Sequence, residues 1–384
     1  MRLVTRRQLV GTGLTDGAGF RYAEAARPTE APMVRREIVD TFRAQVEGCR
    51  KAGSELTARL MERCVSELES EGALARLLED WQGQPLLDAL PQRVVGAVQG
   101  LALEGRAPEL ARFYPSMGGT PRWPDTADAF ARVIERHAAE IRPRLDTQVQ
   151  TNEVRRCAAL LGGFLAAARA GGLPLRLLEI GSSAGLNLFW DRYRYELGPH
   201  RWGDPSAPLG LDAEWRGGPP DLDAPVEVAS RRGCDLYPLD VRDPAQLRRI
   251  ESFLWADQPD RHRLLRAAAA GLPPEGAPLE RIGACEFAAR ELASPARGVA
   301  TVFFHSHMWW YLPADDRKEL AQRLASAGAA ATADAPLFWL RMEAPGIHYC
   351  ELRLQSWPGG EERLLARAHH HGRWIEWLEP ANGE

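Results

Sequence analysis

Long apolar runs are missing from this sequence: no stretch is apolar enough to cross a bilayer as a helix, which removes helical membrane spans from consideration. Cysteine is sparse and scattered. The six residues, at 49, 64, 157, 234, 285 and 350, make no C-x-x-C pair, so neither a zinc knuckle nor a disulfide framework is implied, and a reducing cytoplasm is the expected setting. Neither sign of charge is in excess: 48 basic against 52 acidic residues give a net charge of -4, which offers no general attraction to a polyanion. No nucleic-acid partner is expected, although Arg231 with Arg232 forms a local basic pair. There is no internal repeat. The fingerprint G-x-G-x-x-G is also absent, because nothing between Gly181 and Asn187 supplies its spacing, and nicotinamide binding falls behind for that reason. Arg6 and Arg7 are not followed by a sustained apolar region, as a twin-arginine export signal requires.

What is present is enough apolar material, 45% of 384 residues, to fill a sizeable core. Residues 1–32 carry glycines and prolines with little apolar periodicity and read as a disordered leader. From Ile38 through Phe42 and Val46, and again from Leu56 through Leu60, Cys64 and Leu68, apolar residues recur every four positions. That spacing predicts helices over 34–51 and 54–70. Further helical patterns at 73–81, 86–104, 126–141 and 152–170 are separated by Pro85, Pro108, Pro115 and Pro121, so 33–171 reads as a helical domain.

After Pro174 the texture changes to short apolar runs at 175–180, 299–304 and 336–342, too short for ordinary helices. Strands alternating with helices over 172–384 predict an α/β, doubly wound, Rossmann-like parallel sheet. The Pro-, Gly- and Trp-rich stretch at about 196–232 reads as an inserted β-hairpin with strands near 207–215 and 225–232. The stretches 347–356 and 362–378, around Pro358, Gly359 and Gly360, read as a terminal hairpin.

The most informative run is Leu177-Leu178-Glu179-Ile180-Gly181-Ser182-Ser183-Ala184-Gly185-Leu186-Asn187, which reads as strand, glycine turn, helix. An apolar strand ending in an acid, followed by small residues that let the backbone approach a ligand, builds a nucleotide site at the carboxyl end of the strand. The competing reading is a tight turn in which glycine supplies a positive φ. The run is similar to the first motif of adenosyl-methionine enzymes, with Gly181 and Gly185 in the outer glycine places and Ser183 in the middle one. Together with Thr151-Asn152-Glu153-Val154, Gly233-Cys234-Asp235-Leu236-Tyr237-Pro238-Leu239-Asp240-Val241 and Phe304-His305-Ser306, it resembles a bacterial family of unknown function with a methyltransferase-like core, from about residue 35 to about 380.

The resemblance implies a fold and not a reaction; the expectation drawn from the glycine turn is S-adenosyl-methionine as cofactor and a small molecule as substrate. In that reading the turn (Gly181, Ser182, Ser183, Gly185, with Asn187) holds the methionine part, and Glu179 lies near its ammonium group. Asp235, at the end of a second strand, accepts both ribose hydroxyls. Asp240 and Asp243 compete with it, their alternative being a turn acid and a helix cap. A third strand near 279–284 brings Cys285 and Glu286 to the adenine edge. Asn152 and Arg156 reach the cofactor from the preceding helix, with capping and a surface ion pair as the alternative. His305, at the end of a fourth strand, is the candidate base, against a strand-end histidine bonded within the protein. Trp309 and Tyr311 are candidate substrate contacts or core. Tyr114, in the loop 113–119, belongs to a candidate lid. His305 and His307 lack a third ligand, and His369, His370 and His371 read as an exposed hairpin, so no metal is expected. Two rivals stand beside the methyltransferase reading: a noncatalytic nucleoside-binding protein, and a hydrolase pairing Ser182 or Ser183 with His305.

Overall fold

Helical spacing of apolar residues builds the first part of the chain. In a computed structural model, which describes residues 36–346 and 348–379, α1 (Arg36–Lys51) buries Ile38, Phe42 and Cys49. The expected leader 1–32 lies outside the described residues. In α2 (Glu55–Glu69) the fourfold series Leu56, Leu60, Cys64, Leu68 is buried as the spacing requires. Next come α3 (Ala73–Leu78), α4 (Leu90–Leu103), α5 (Pro108–Ala111), α6 (Asp125–Arg136) and α7 (Ala138–Arg144). The span read as one helix over 126–141 is two, because His137 leaves helical geometry at φ -112°. These helices close around a core of Phe42, Leu60, Leu101, Phe130 and Ile141, which Ala256 completes from far along the chain.

The helix α8 (Cys157–Gly171) is buried on nearly all sides. A Cβ at Gly163 would come within 2.3 Å of Leu340, so glycine is what allows the helix axis to lie close against the sheet. The remaining elements are β1 (Leu175–Ile180), β2 (Arg194–Leu197), β3 (His200–Trp202), β4 (Gly210–Arg216), β5 (Val228–Asp235), α9 (Pro244–Glu251), α10 (Pro259–Ala270), β6 (Leu279–Arg281), α11 (Ala284–Glu291), β7 (Ala300–Ser306), α12 (Ala314–Ala329), β8 (Leu337–Glu343), β9 (Cys350–Trp357), β10 (Glu361–Ala368) and β11 (Trp374–Trp377).

One mixed, mostly parallel sheet results, in the order β3-β2-β4-β11-β10-β9-β8-β7-β1-β5-β6. Strands β6, β5, β1, β7 and β8 are mutually parallel, while β9, β10 and β11 run as an antiparallel meander. From β1 the chain proceeds to β5 and β6 on one side and returns to β7 and β8 on the other. Carboxyl ends of β1 and β7 therefore flank a switch point, where open α/β sheets hold ligands. The register sets Ile180 beside Cys234 and Glu179 beside Phe304, so the residues after β1, β5 and β7 emerge at one edge.

Three expectations need correction. The helix expected after the glycine turn is a short 3-10 segment, 186–192, interrupted at Phe189. Leu186, Asn187, Leu188, Phe189 and Trp190 are all buried, leaving no polar face for a surface helix, and Trp190 stacks on Phe164 at 4.4 Å. Both strands of the expected insertion exist, but they do not pair with each other. β4 joins β2 and β11, β5 enters the parallel core beside β1, and the local hairpin is β2–β3. The third strand ends at Arg281, ahead of α11. Among the described residues no helix is long and apolar enough to cross a membrane.

The helical layer is tied to the later half of the chain at one helix start. Ser54 caps α2 by accepting from Thr57 N at 3.2 Å, and its hydroxyl donates to Asp257 Oδ1 at 2.6 Å. Asp257 Oδ2 accepts from Leu56 N at 3.0 Å, placing an anion where the helix dipole favours one. Asp257→Ala is expected to lower the unfolding free energy by about 2–4 kcal/mol, read as a lower urea midpoint, because a charged acceptor and a cap partner are lost together. A midpoint unchanged from wild type would show that the tie contributes nothing.

Candidate functional site

Five successive backbone N–H groups after β1 find partners inside the protein. Ser182 N donates to Cys234 O at 3.0 Å, Ser183 N to Asp235 Oδ2 at 2.8 Å, and Gly185 N to Ser182 O at 2.7 Å. Ala184 N and Leu186 N both donate to Asn152 Oδ1, at 3.0 and 3.3 Å. Gly181 and Gly185 sit at φ +64° and +70°, values that glycine takes without penalty. Ser183, Asn152 and His307 adopt positive φ without being glycine, at +54°, +36° and +53°. Strain of this kind, about 1–3 kcal/mol per residue, persists where surrounding contacts impose it and gathers at functional sites.

These three strained residues line one cleft of about 390 Å³ at the switch point, together with Gly181, Asp235 and Tyr311. Its volume falls in the range of small-molecule sites. Larger hollows of about 510 Å³ between α11 and α12 and about 610 Å³ beside α8 lie away from the carboxyl ends of β1, β5 and β7.

Beneath the turn Glu179 is 2% exposed. Burial pushes its carboxyl up to about 8, with the Asn187 amide pulling the other way through a hydrogen bond. One carboxyl oxygen, Oε2, has no partner, and neither does the Ser183 hydroxyl, which belongs to the cleft wall. Two buried polar atoms left unpaired at one site represent a cost that a ligand can relieve. Ser182 Oγ, by contrast, donates to Glu179 O at 2.9 Å and is spent.

Asp235 acts as a brace. Its Oδ1 accepts from Tyr237 N at 2.8 Å and from Gln150 Nε2 at 3.3 Å, while Oδ2 takes Ser183 N. A carboxylate has about four acceptor positions, so one remains, which suffices for one ribose hydroxyl and not for the pair expected from sequence. The competing acids are otherwise engaged: Asp240 is exposed and paired with Arg242 at 2.6 Å, and Asp243 caps α9 through Ala245 N at 2.8 Å.

Asn152, Arg156 and Asn187 are brought to the cleft as expected. Arg156 Nε donates to His370 O at 3.1 Å, and Asn187 Oδ1 accepts from Cys157 Sγ at 3.3 Å. Cys285 and Glu286 are not brought there. Because β6 stops early, they fall on the first turn of α11, where Cys285 donates to Asp316 O and Glu286 is exposed; Ile282, Gly283 and Ala284 form that wall instead.

His305 does not reach the cleft. It is fully buried, Trp339 Nε1 donates to its Nε2 at 3.1 Å, and its Nδ1 is left to donate to Glu343 Oε1 at 2.7 Å. Trp309 stacks on the same ring at 5.2 Å and is packing. With both imidazole nitrogens committed to Glu343 and Trp339, and Ser182 turned to Glu179, His305 pairs with neither Ser182 nor Ser183. Tyr114 is also removed from the candidate list, since it lies fully buried in the helical core. Burial raises its phenol well above the usual range. The loop around it is pinned by Ser116 N donating to Ala256 O at 2.7 Å.

Cleft residues that the sequence reading did not assign to the ligand site include Gln148, Gln150, Ser306 and His307, the last having been weighed only as a metal ligand. The expected exposed hairpin of His369, His370 and His371 is half-buried, and His371 packs edge-on against Trp255 at 5.5 Å. Burial lowers the His369 imidazole to about 4.

A family model described as "Uncharacterized protein conserved in bacteria (DUF2332)" matches residues 39–377, and the chain belongs to that family. The bacterial part of the resemblance seen in the sequence is thereby borne out, within a few residues at each end. No curated protein and no solved structure matches the chain.

The buried Glu179 carboxyl has a pH signature. Unfolded, it ionises near 4.5; folded, it holds its proton to about 8, so the folded state loses relative stability as pH rises across that window and levels off above it. Glu179→Gln is expected to flatten this part of the decline, so that its melting temperature falls less than that of wild type between pH 5 and pH 8. Parallel melting curves would refute the assignment.

Proposed function

Taking membership of that bacterial family as the premise, we propose that the cleft binds S-adenosyl-methionine and that the protein is a cytoplasmic methyltransferase acting on a small molecule. One observation carries the reading. The turn at the switch point has spent its N–H donors on Asn152, Asp235 and the backbone, so it offers no nest to a phosphate, while acceptor oxygens of Glu179, Ser183 and Asp235 remain. That balance suits a nucleoside carrying hydroxyls and an ammonium group better than a nucleoside diphosphate. The order β6-β5-β1-β7-β8 supports it, since numbering these parallel strands along the chain gives the doubly wound order 3-2-1-4-5.

In this reading Glu179 meets the ammonium, Ser183 and Asn187 border the methionine part, and Asp235 accepts one ribose hydroxyl. Methyl transfer breaks the sulfonium C–S bond, whose electron pair goes to sulfur, as a lone pair of the acceptor bonds the methyl carbon; a proton then leaves the acceptor. Positioning in line can supply much of the rate, so His305 is not required as a base. Instead His305 and Glu343 shape the floor, because Glu343 Oε1 also accepts from Met308 N at 3.1 Å.

The acceptor side is apolar. Leu236 and Tyr311, 57% and 56% exposed, line the cleft, and Leu87, Tyr237 and Tyr311 line an adjoining hollow of about 490 Å³. Large exposed apolar groups gathered at one mouth favour a substrate with an apolar or aromatic body. The sealed His305 favours a second reading, a noncatalytic nucleoside-binding protein.

Calorimetric titration is expected to show saturable 1:1 binding of S-adenosyl-methionine and S-adenosyl-homocysteine, with none of ATP or NAD. Affinity for the former should rise with pH up to about 8, as Glu179 gives up its proton to meet a cation, and Glu179→Gln should lose that rise. Asp235→Ala should weaken binding at least about tenfold, a lost charged hydrogen bond. No binding by folded protein would overturn the proposal; binding without S-adenosyl-homocysteine formation across an acceptor screen would select the noncatalytic reading.

A further inference from the structure

Three chain segments, distant in sequence, bring nitrogen and sulfur donors together beside the cleft. His307 follows β7, Cys350 opens β9, and His370 lies in the turn after β10. His307 Nε2 is 2.8 Å from Cys350 Sγ, and Cys350 Sγ is 3.3 Å from His370 Nδ1. All three donor atoms fall within 4.8 Å of one another, and among the described residues no other group of three or more His, Cys, Asp or Glu meets that condition.

Hydrogen bonding accounts poorly for this arrangement. A thiol has one hydrogen, so Cys350 can donate to one imidazole only, and the other must spend an N–H on sulfur, a weak acceptor. A shared cation turns all three lone pairs to use. Cys350 is fully buried, where an ordinary structural cysteine has apolar neighbours and not two imidazoles. His307 is held at φ +53° to make the contact.

We propose that His307, Cys350 and His370 bind one divalent metal ion of the zinc class through two imidazole nitrogens and one thiolate. Soft sulfur with imidazole nitrogen is the donor set such ions select. On binding, the thiol proton passes to solvent as the sulfur–metal bond forms. Burial holds the His307 ring neutral, the form that ligates. Arg156 lies close by, bonded to the His370 carbonyl; burial pushes the Cys350 thiol up to about 12 without an ion, and the Arg156 charge opposes part of that rise. Three protein donors leave a fourth position for water or for a ligand in the cleft that His307 lines. The site does not depend on the methyl-transfer reading.

The full chain, stripped with a chelator and titrated with cobalt(II), provides the test. A thiolate-to-cobalt charge-transfer band in the near ultraviolet is expected to saturate at one equivalent and to bleach when zinc is added. Cys350→Ser should lose the band, and His370→Ala, a change in the turn after β10, should weaken cobalt binding at least about tenfold. Circular dichroism confirms that each variant is folded. No band from folded wild-type protein, or a band that survives in folded Cys350→Ser, would overturn the site.

Discussion

Asn152 is the residue on which the arrangement at the switch point depends. Its side-chain oxygen takes the N–H groups of Ala184 and Leu186, two donors that the glycine turn cannot satisfy within itself. Neighbouring residues extend the hold. Gln150 reaches Asp235, which takes Ser183 N, and Glu153 forms a buried ion pair with Arg261 of α10 at 2.6 Å. A strap of a few residues thus couples the turn after β1, the end of β5 and α10. Breaking a buried pair such as Glu153–Arg261 leaves a charge without a partner, so the strap has no low-cost alternative position.

The electrostatics of the cleft follow from this bracing. Because backbone donors are consumed, the polarity left over is that of side chains, among them the Glu179 carboxyl beneath the turn, the unpaired Ser183 hydroxyl, the remaining acceptor position of Asp235 and the Arg156 guanidinium. A buried carboxyl pushed up to about 8 by desolvation is mostly neutral at pH 7, and an approaching cation would favour its ionised form. Recognition of charge would then be conditional on the ligand, unlike a surface carboxylate, which attracts any cation.

Parts of this architecture were legible in the residues. The fourfold series of α1 and α2, the apolar runs of β1, β7 and β8, and the glycine turn all declare themselves through local spacing. Pairing did not, because one partner of β4 is β11, about 160 residues later, and no local signal sets a register across such a distance. His305 and His307 look equivalent as an H-x-H pair, and strand alternation would set them on one face. The strand ends at Ser306, however, and His307 turns into the left-handed region, so one ring is sealed under Trp309 while the other meets Cys350. A trio such as His307, Cys350 and His370, assembled from one strand start and two turns, carries no spacing signature at all.

The dependence of the helical layer on Ala256 and Asp257 bears on how the protein is made. Gln99 also donates to the carbonyls of Glu251 and Leu254, at 3.0 and 2.6 Å, so the segment 251–257 serves as the missing piece of a core whose own residues end at Leu145. On the ribosome that core emerges first and waits for roughly 110 further residues, on the order of 10 s at common synthesis rates. During that interval its apolar seam is open, and a nascent-chain chaperone has a defined surface and a defined time in which to cover it.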